Sequence, residues 1–301
     1  MAKKKVEENL DALIFIDTNI FLDFYRIQNA NTSLKYIEEI LNHLDKIIVT
    51  SQVEMEYKKN RQKVINDALI EYNKSIPNNG GVPPLIVQDY KSTKALPDKI
   101  KSIIKSREQI TKRLEKIIQR PESDKVYVSL NKLFKFKSII NLDRDNMQRF
   151  RIRKLAYKRF ILGYPPRKST DNSIGDAVNW EWIVDCSIRT NKHIIIVTRD
   201  TDFGLRLNKE LLLSDWLRQE FKERVSRTRK IIITDKLAKA FELVRIPVTK
   251  EMKDEEENLL NEDSPISQID LLNDKSGLFR FSHDFTKLYE YIDRANKSKK
   301  I

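Results

Sequence analysis

The stretch "ALIFIDTNIFLDFYR", residues 12–26, is an apolar run from Ala12 to Ile16 that stops abruptly at Asp17-Thr18-Asn19. A run of that length and composition reads as a buried strand. Asp17 or Thr18 then has an ordinary use, capping a helix that starts near Ile20. It also has a chemical one, because open α/β sheets place their sites at the carboxyl ends of parallel strands. Which use prevails depends on whether further carboxylates arrive at equivalent places.

Three more apolar runs resemble the first: Ile47–Val49, Ile194–Val197 and Ile231–Ile233. Helix-like sequence borders each of them. "SLKYIEEILNHL" precedes the second, "DAVNWEWIVDCSI" the third and "LLLSDWLRQEFKERV" the fourth, which "DKLAKAFELV" follows. Strands alternating with helical patterns predict an α/β fold, a central parallel sheet with helices on both faces.

Each of three runs leads into acidic residues. Asp17 follows the first, Glu54 and Glu56 in "TSQVEMEYKKNR" follow the second, and Asp200 and Asp202 in "TRDTDFG" follow the third. Asp176 in "SIGDAVNWEWI" is a fourth candidate, with Gly175 leaving room for close approach. A single acid at such a place is ordinarily a cap. Neighbouring strands lie about 5 Å apart, however, so acids from separate segments can meet in one small volume. Carboxylates packed together repel, and a hard divalent cation such as Mg²⁺ or Mn²⁺ relieves that with oxygen ligands. Zinc is disfavoured, since one cysteine and three histidines form no cluster.

Composition points to the partner. The 301 residues hold 57 Lys+Arg against 44 Asp+Glu, a formal net charge of +13, which favours a polyanion, nucleic acid before membrane. Much of the charge lies in residues 60–165, read as a largely helical insertion. "IPNNGGVPP" (76–84) breaks the chain there. "DKIKSIIKSREQITKRLEKIIQR" then shows apolar residues at helical spacing between Pro97 and Pro121, an amphipathic helix that could self-pair. "DRDNMQRFRIRKLAYKRFILGYPPRK" carries a second basic stretch up to Lys168, read as a nucleic-acid-facing surface. From residue 249 onward, "KEMKDEEENLLNEDSPISQ" reads as an acidic linker and tail, with a short helix in "SHDFTKLYEYIDRA". The domain reading is therefore 1–248 for the α/β unit and 249–301 for the tail. Lys3 to Lys5 are followed by no apolar leader core, no run reaches the ~18 residues of a membrane span, and the lone Cys186 sits in an apolar pattern. These predict a cytoplasmic chain with no membrane partner and a packed core thiol. Trp180 and Trp182 are read as core residues.

Taken together, "FIDTNIFLD", "SQVEMEYKKNR", "IGDAVNWEW" and "VTRDTDFG" resemble a PIN-domain nuclease, in particular the larger bacterial PIN-like group with a helical insertion before the third acid. The similarity runs from about Leu13 to Val248. "DTN" alone is a weak signal, whereas four motifs in order are specific. The resemblance implies a three-layer α/β/α, Rossmann-like fold and catalytic acids Asp17, Glu56, Asp176 and Asp200, with Asp202 as a further metal ligand. Glu56 is chosen over Glu54 because it stands directly before Tyr57 and the Asn60-Arg61 pair. The two glutamates also point about 200° apart on a helix, so only one can face the site. Asn19 and Thr198 are supporting residues, and Arg61, Arg167, Lys168 and Arg199 are nucleic-acid contacts, Arg61 alternatively a buttress for Glu56. The implied activity is an endoribonuclease using one or two Mg²⁺ or Mn²⁺ ions and leaving 5′-phosphate and 3′-hydroxyl ends, in the role of a toxin, a phage-defence effector or an RNA-processing enzyme. DNA cleavage and a non-catalytic nucleic-acid-binding module are the alternatives, and a homodimer or an antitoxin protein is the implied protein partner. A dehalogenase-like phosphatase would need a second Asp two residues after Asp17, where this chain has Asn19.

Overall fold

The computed structural model describes residues 10–27, 29–75, 91–166, 173–208 and 210–262. Four parallel strands make the central sheet: β1 (Ala12–Ile16), β2 (Ile47–Ile48), β3 (His193–Val197) and β6 (Ile231–Thr234), in the order β2-β1-β3-β6. Ile14 pairs with Ile47 on one side and Ile195 on the other, and Ile195 pairs in turn with Ile232. β1 and β3 are central and buried on both faces, which is why they read as unbroken apolar runs rather than alternating ones. Helices flank this sheet in the three-layer α/β/α arrangement.

The helices among the described residues include those expected, with shifted ends. They are α1 (Thr18–Asp23), α2 (Ala30–Asn42), α3 (Ser51–Ser75), α4 (Lys91–Gln119), α5 (Lys125–Lys135), α6 (Gln148–Ile161), α7 (Gly175–Thr190), α8 (Asp215–Arg224), α9 (Leu237–Leu243) and α10 (Lys250–Glu262). α3 leaves the end of β2 and continues into the insertion, so one 25-residue rod joins the sheet to the added helices. α4 begins before Pro97 instead of after it. A proline in the second turn gives up its own i→i−4 bond and crowds the carbonyl four residues back, yet the helix runs through it. Ile103, Ile104 and Ile110 of α4 remain exposed.

Two sequence expectations fail. The "LLL" at residues 211–213 is not helical: Glu210–Leu213 is β5, antiparallel to β4 (Gly204–Leu207). Leu211 and Leu213 are buried while Glu210 and Leu212 are exposed, the two-residue alternation of a strand. Gly204 permits the pairing, because a Cβ there would stand 1.8 Å from the Leu212 carbonyl oxygen. The second failure is the acidic linker. Residues 250–262 are helical, not an open tail. The Thr249 hydroxyl accepts from the Met252 amide at 3.2 Å, and the Met252 side chain is buried. Two buried apolar residues, Met252 and Leu259, and a cap thus outweigh a strongly polar composition. Residues up to Lys253 form one compact unit and a second begins at Asp254. The helix expected in "SHDFTKLYEYIDRA" lies outside the described residues.

Trp180, Trp182 and Cys186 are fully buried, and the Trp182 indole donates to the Ile140 carbonyl at 2.8 Å. Burial drives the Cys186 thiol well above its usual range, keeping it protonated and inert. Among the described residues no helix is long and apolar enough to cross a membrane.

Candidate active site

Asp17 stands where β1 ends, 5% exposed, and it both caps α1 and faces the strand ends. Its Oδ1 accepts from the Thr18 amide at 2.7 Å. Its Oδ2 accepts from the Thr198 hydroxyl at 2.6 Å and from the Asn19 side-chain amide at 3.1 Å. The register that sets Ile16 beside Val197 is what brings Thr198, the next residue after β3, to Asp17. The Thr198 oxygen also accepts from the Asp200 amide at 3.0 Å, so one hydroxyl ties the ends of two neighbouring strands together. Asn19 completes the link, its side-chain carbonyl accepting from the Arg199 amide at 3.2 Å.

Glu56 lies on α3, one turn beyond Gln52. Its Oε1 accepts from the Gln52 amide at 2.6 Å and its Oε2 from the Thr18 hydroxyl at 2.9 Å. Glu54 is turned aside and pairs with Lys58 at 2.5 Å. The first turn of α7 closes on Glu56 from the other side. A Cβ on Gly175 would lie 2.6 Å from Glu56 Oε1 and 2.7 Å from Gln52 Nε2. The glycine leaves room for the ends of Glu56 and Gln52 beside the helix N-terminus, with Asp176 next in line.

These acids feel one another. Asp17 is raised from 3.8 to about 6, by burial first, against the opposing hydrogen bond from Thr198. The charge of Asp200, and to a smaller degree that of Glu56, pushes it in the same direction as burial. Asp17 and Glu56 enter no ion pair among the described residues. Among those residues no three acidic, histidine or cysteine side chains are drawn into a finished metal cage. Asp17 and Glu56 instead take hydrogen bonds from Thr18, Asn19, Thr198 and Gln52. Asp202 is partly buried in the turn that leads into β4.

A family model described as a PIN domain matches residues 14–203, from β1 to the turn after Asp200. The chain belongs to the PIN-domain family. No curated protein and no solved structure gives a significant match. PIN domains are generally metal-dependent nucleases, which makes this a chain of nuclease type acting on nucleic acid. The donors present suit such an ion. They are oxygens of carboxylates, hydroxyls and side-chain amides, and Asp17, raised by burial first and then by the charges of Asp200 and Glu56, is a carboxyl that a hard cation would hold ionised.

Two expected contacts of the PIN domain are corrected. Arg61 neither meets solvent nor buttresses Glu56. It is 2% exposed, its Nε donating to Asp124 at 2.8 Å and to the Tyr25 hydroxyl at 3.1 Å, and its other nitrogen to the Ile117 carbonyl. Arg199 is likewise committed inward, bonded to Asp23 at 2.8 Å and to the Asp235 carbonyl. A short basic motif does not reveal which guanidinium has a buried acid waiting for it. Arg167 and Lys168 lie outside the described residues. Gln52 and Thr18, the donors to Glu56, were missed as site residues. The four-residue spacing from Gln52 to Glu56 was the available signal for the first, and nothing local marks the second.

Proposed function

We propose that this PIN domain is a Mg²⁺- or Mn²⁺-dependent endoribonuclease that hydrolyses phosphodiester bonds to 5′-phosphate and 3′-hydroxyl ends. The observation that carries the reading is the Thr198 hydroxyl, shared between Asp17 and the Asp200 amide, with Glu56 joined to the same corner through Thr18. Asp17 and Glu56 are thereby linked through Thr18, and Thr198 ties Asp17 to the backbone of the segment that carries Asp200, which supports the reading that these acids act together. Asp17, Glu56, Asp176 and Asp200, with Asp202, would hold one or two ions. When bound, such an ion acidifies the attacking water and neutralises charge on the phosphorus and the leaving oxygen.

The chain's own residues do the positioning. Asn19 and Thr198 lock Oδ2 of Asp17, leaving its charge directed at the strand ends. Thr18 and Gln52 fix both oxygens of Glu56, and Gly175 admits the positive end of α7 beside them. The +13 charge supplies attraction for the nucleic-acid backbone around this acidic centre.

The test is incubation of the wild type, Asp17→Asn and Asp176→Asn with total RNA, single-stranded DNA and duplex DNA, in Mn²⁺ or EDTA, followed by end mapping. Cleavage of RNA in Mn²⁺ alone, at least a hundredfold slower in each variant, is expected. Unchanged turnover in both variants overturns the proposal, and preferential cutting of DNA replaces the substrate. A toxin or phage-defence role predicts growth arrest on expressing the wild type and none with Asp17→Asn.

A further inference from the structure

α6 is apolar on two opposite faces. Ile152, Ala156 and Arg159 are buried on the side toward α7, where Arg159 pairs with Glu181 at 2.9 Å. On the other side Phe150 is 63%, Tyr157 60% and Ile161 63% exposed. At 100° per residue these three fall within about 20° of a single line, roughly opposite the buried set. Cations flank the line. Lys154 lies between the rings, Arg153 and Lys158 beside them, and these three enter no ion pair among the described residues. The Arg149 guanidinium sits 5.2 Å from the centre of the Phe150 ring. The helix contains no acidic residue.

We infer that this outer face of α6 is a stacking platform for single-stranded nucleic acid. An apolar ridge intended for a protein would ordinarily meet charges of both signs at its rim, whereas here the charges that α6 supplies are all positive and two of the three ridge residues are aromatic. Phe150 and Tyr157 are two turns apart, about 10 Å along the axis, a span of roughly three stacked bases. Rings grip any base by its flat face, while lysine and arginine hold the backbone without reading sequence. The direction is also suitable. Arg151 pairs with Asp185, and Arg159 with Glu181, so α6 and α7 run antiparallel. The Tyr157–Ile161 end of the platform therefore lies toward the α7 N-terminus that carries Asp176. A strand laid along the face would be led to the acids. A duplex, whose bases are already stacked, could use only the cations. The orientation toward Asp176 rests on the nuclease reading above, but binding is measurable without it.

The experiment is fluorescence anisotropy in EDTA, with a labelled twelve-nucleotide single strand and a duplex of equal length, on the 301-residue chain. Phe150→Ala and Tyr157→Ala should each weaken single-strand binding about tenfold and leave duplex binding within about twofold. Tyr157→Phe should bind as the wild type. Lys154→Ala with Lys158→Ala should weaken both ligands and lower the single-strand salt slope by about 1.4. Equal losses for strand and duplex in the ring variants, or none for either, overturn the platform. So does a wild-type dimer in sedimentation that Tyr157→Ala dissolves, because the face is then a subunit contact. If the wild type binds through these rings but never cuts in Mn²⁺, the nuclease reading falls and the platform stands. If it cuts, and binds indifferently to the rings, the reverse holds.

Discussion

Asp17 shows how one side chain serves both the fold and the chemistry. Its Oδ1 caps α1 and its Oδ2 is gripped by Thr198 and Asn19, yet the carboxylate is raised to about 6 by burial and by the neighbouring Asp200 and Glu56. A carboxyl whose folded value is raised favours folding most below its unfolded value near 3.8, and that advantage is lost as pH climbs toward 6. In EDTA, the stability difference between Asp17→Asn and wild type should therefore shift by about 3 kcal/mol in the variant's favour between pH 3.5 and 7. Urea melts at the two pH values measure it, and a constant difference would show that Asp17 titrates normally. By mass action, Mn²⁺ should raise the wild-type Tm and leave Asp17→Asn unmoved. Gly175→Ala makes a separate point. The new methyl would stand against the movable ends of Glu56 and Gln52, not against backbone, so the fold should survive within about 1 kcal/mol. Cleavage should fall at least tenfold, because Glu56 is pushed from its place. Thermal melting beside a cleavage assay separates the two effects.

At the scale of elements, two ion clusters, one buried and one partly buried, hold the insertion to the sheet domain. Arg61 on α3 reaches Asp124, which also caps α5 and accepts from Tyr25 at 2.6 Å. Burial raises the Tyr25 and Tyr57 hydroxyls out of reach of any ordinary pH, so this knot does not switch. Arg61→Ala should cost about 3–5 kcal/mol, since it strands a buried carboxylate, and a Cm from chemical denaturation reads it. The second cluster joins α6, α7 and α8 through Arg159, Glu181, Glu220 and Arg224. Burial would raise Glu181, but Arg224 and Arg159 outweigh it and hold the carboxyl below its usual 4.5. A lowered carboxyl contributes stability that is complete above 4.5 and is lost as pH falls further. Protection of the α6 amides, measured against their intrinsic exchange rates at each pH, should therefore fall below that pH, and Glu181→Gln should bring the same loss of protection to neutral pH.

For the molecule as a whole, the sheet topology turns distant acids into neighbours. Asp17, Thr198 and Asp200 meet because β1 and β3 are adjacent in the order β2-β1-β3-β6, although some 180 positions separate them. The strands, the helical insertion and the four acidic motifs were legible in the amino-acid sequence by itself, since burial on both faces demands unbroken apolar runs and helices demand their own spacing. Sequence also determined the excess of positive charge and the family. Tertiary structure alone decided which charges remain available. It turned Arg61 and Arg199 inward onto buried acids, made a strand of Leu211–Leu213, and left Phe150, Tyr157 and Ile161 facing outward. The reason is that a local pattern records what a residue can tolerate, while its partner comes from wherever the folded chain happens to return.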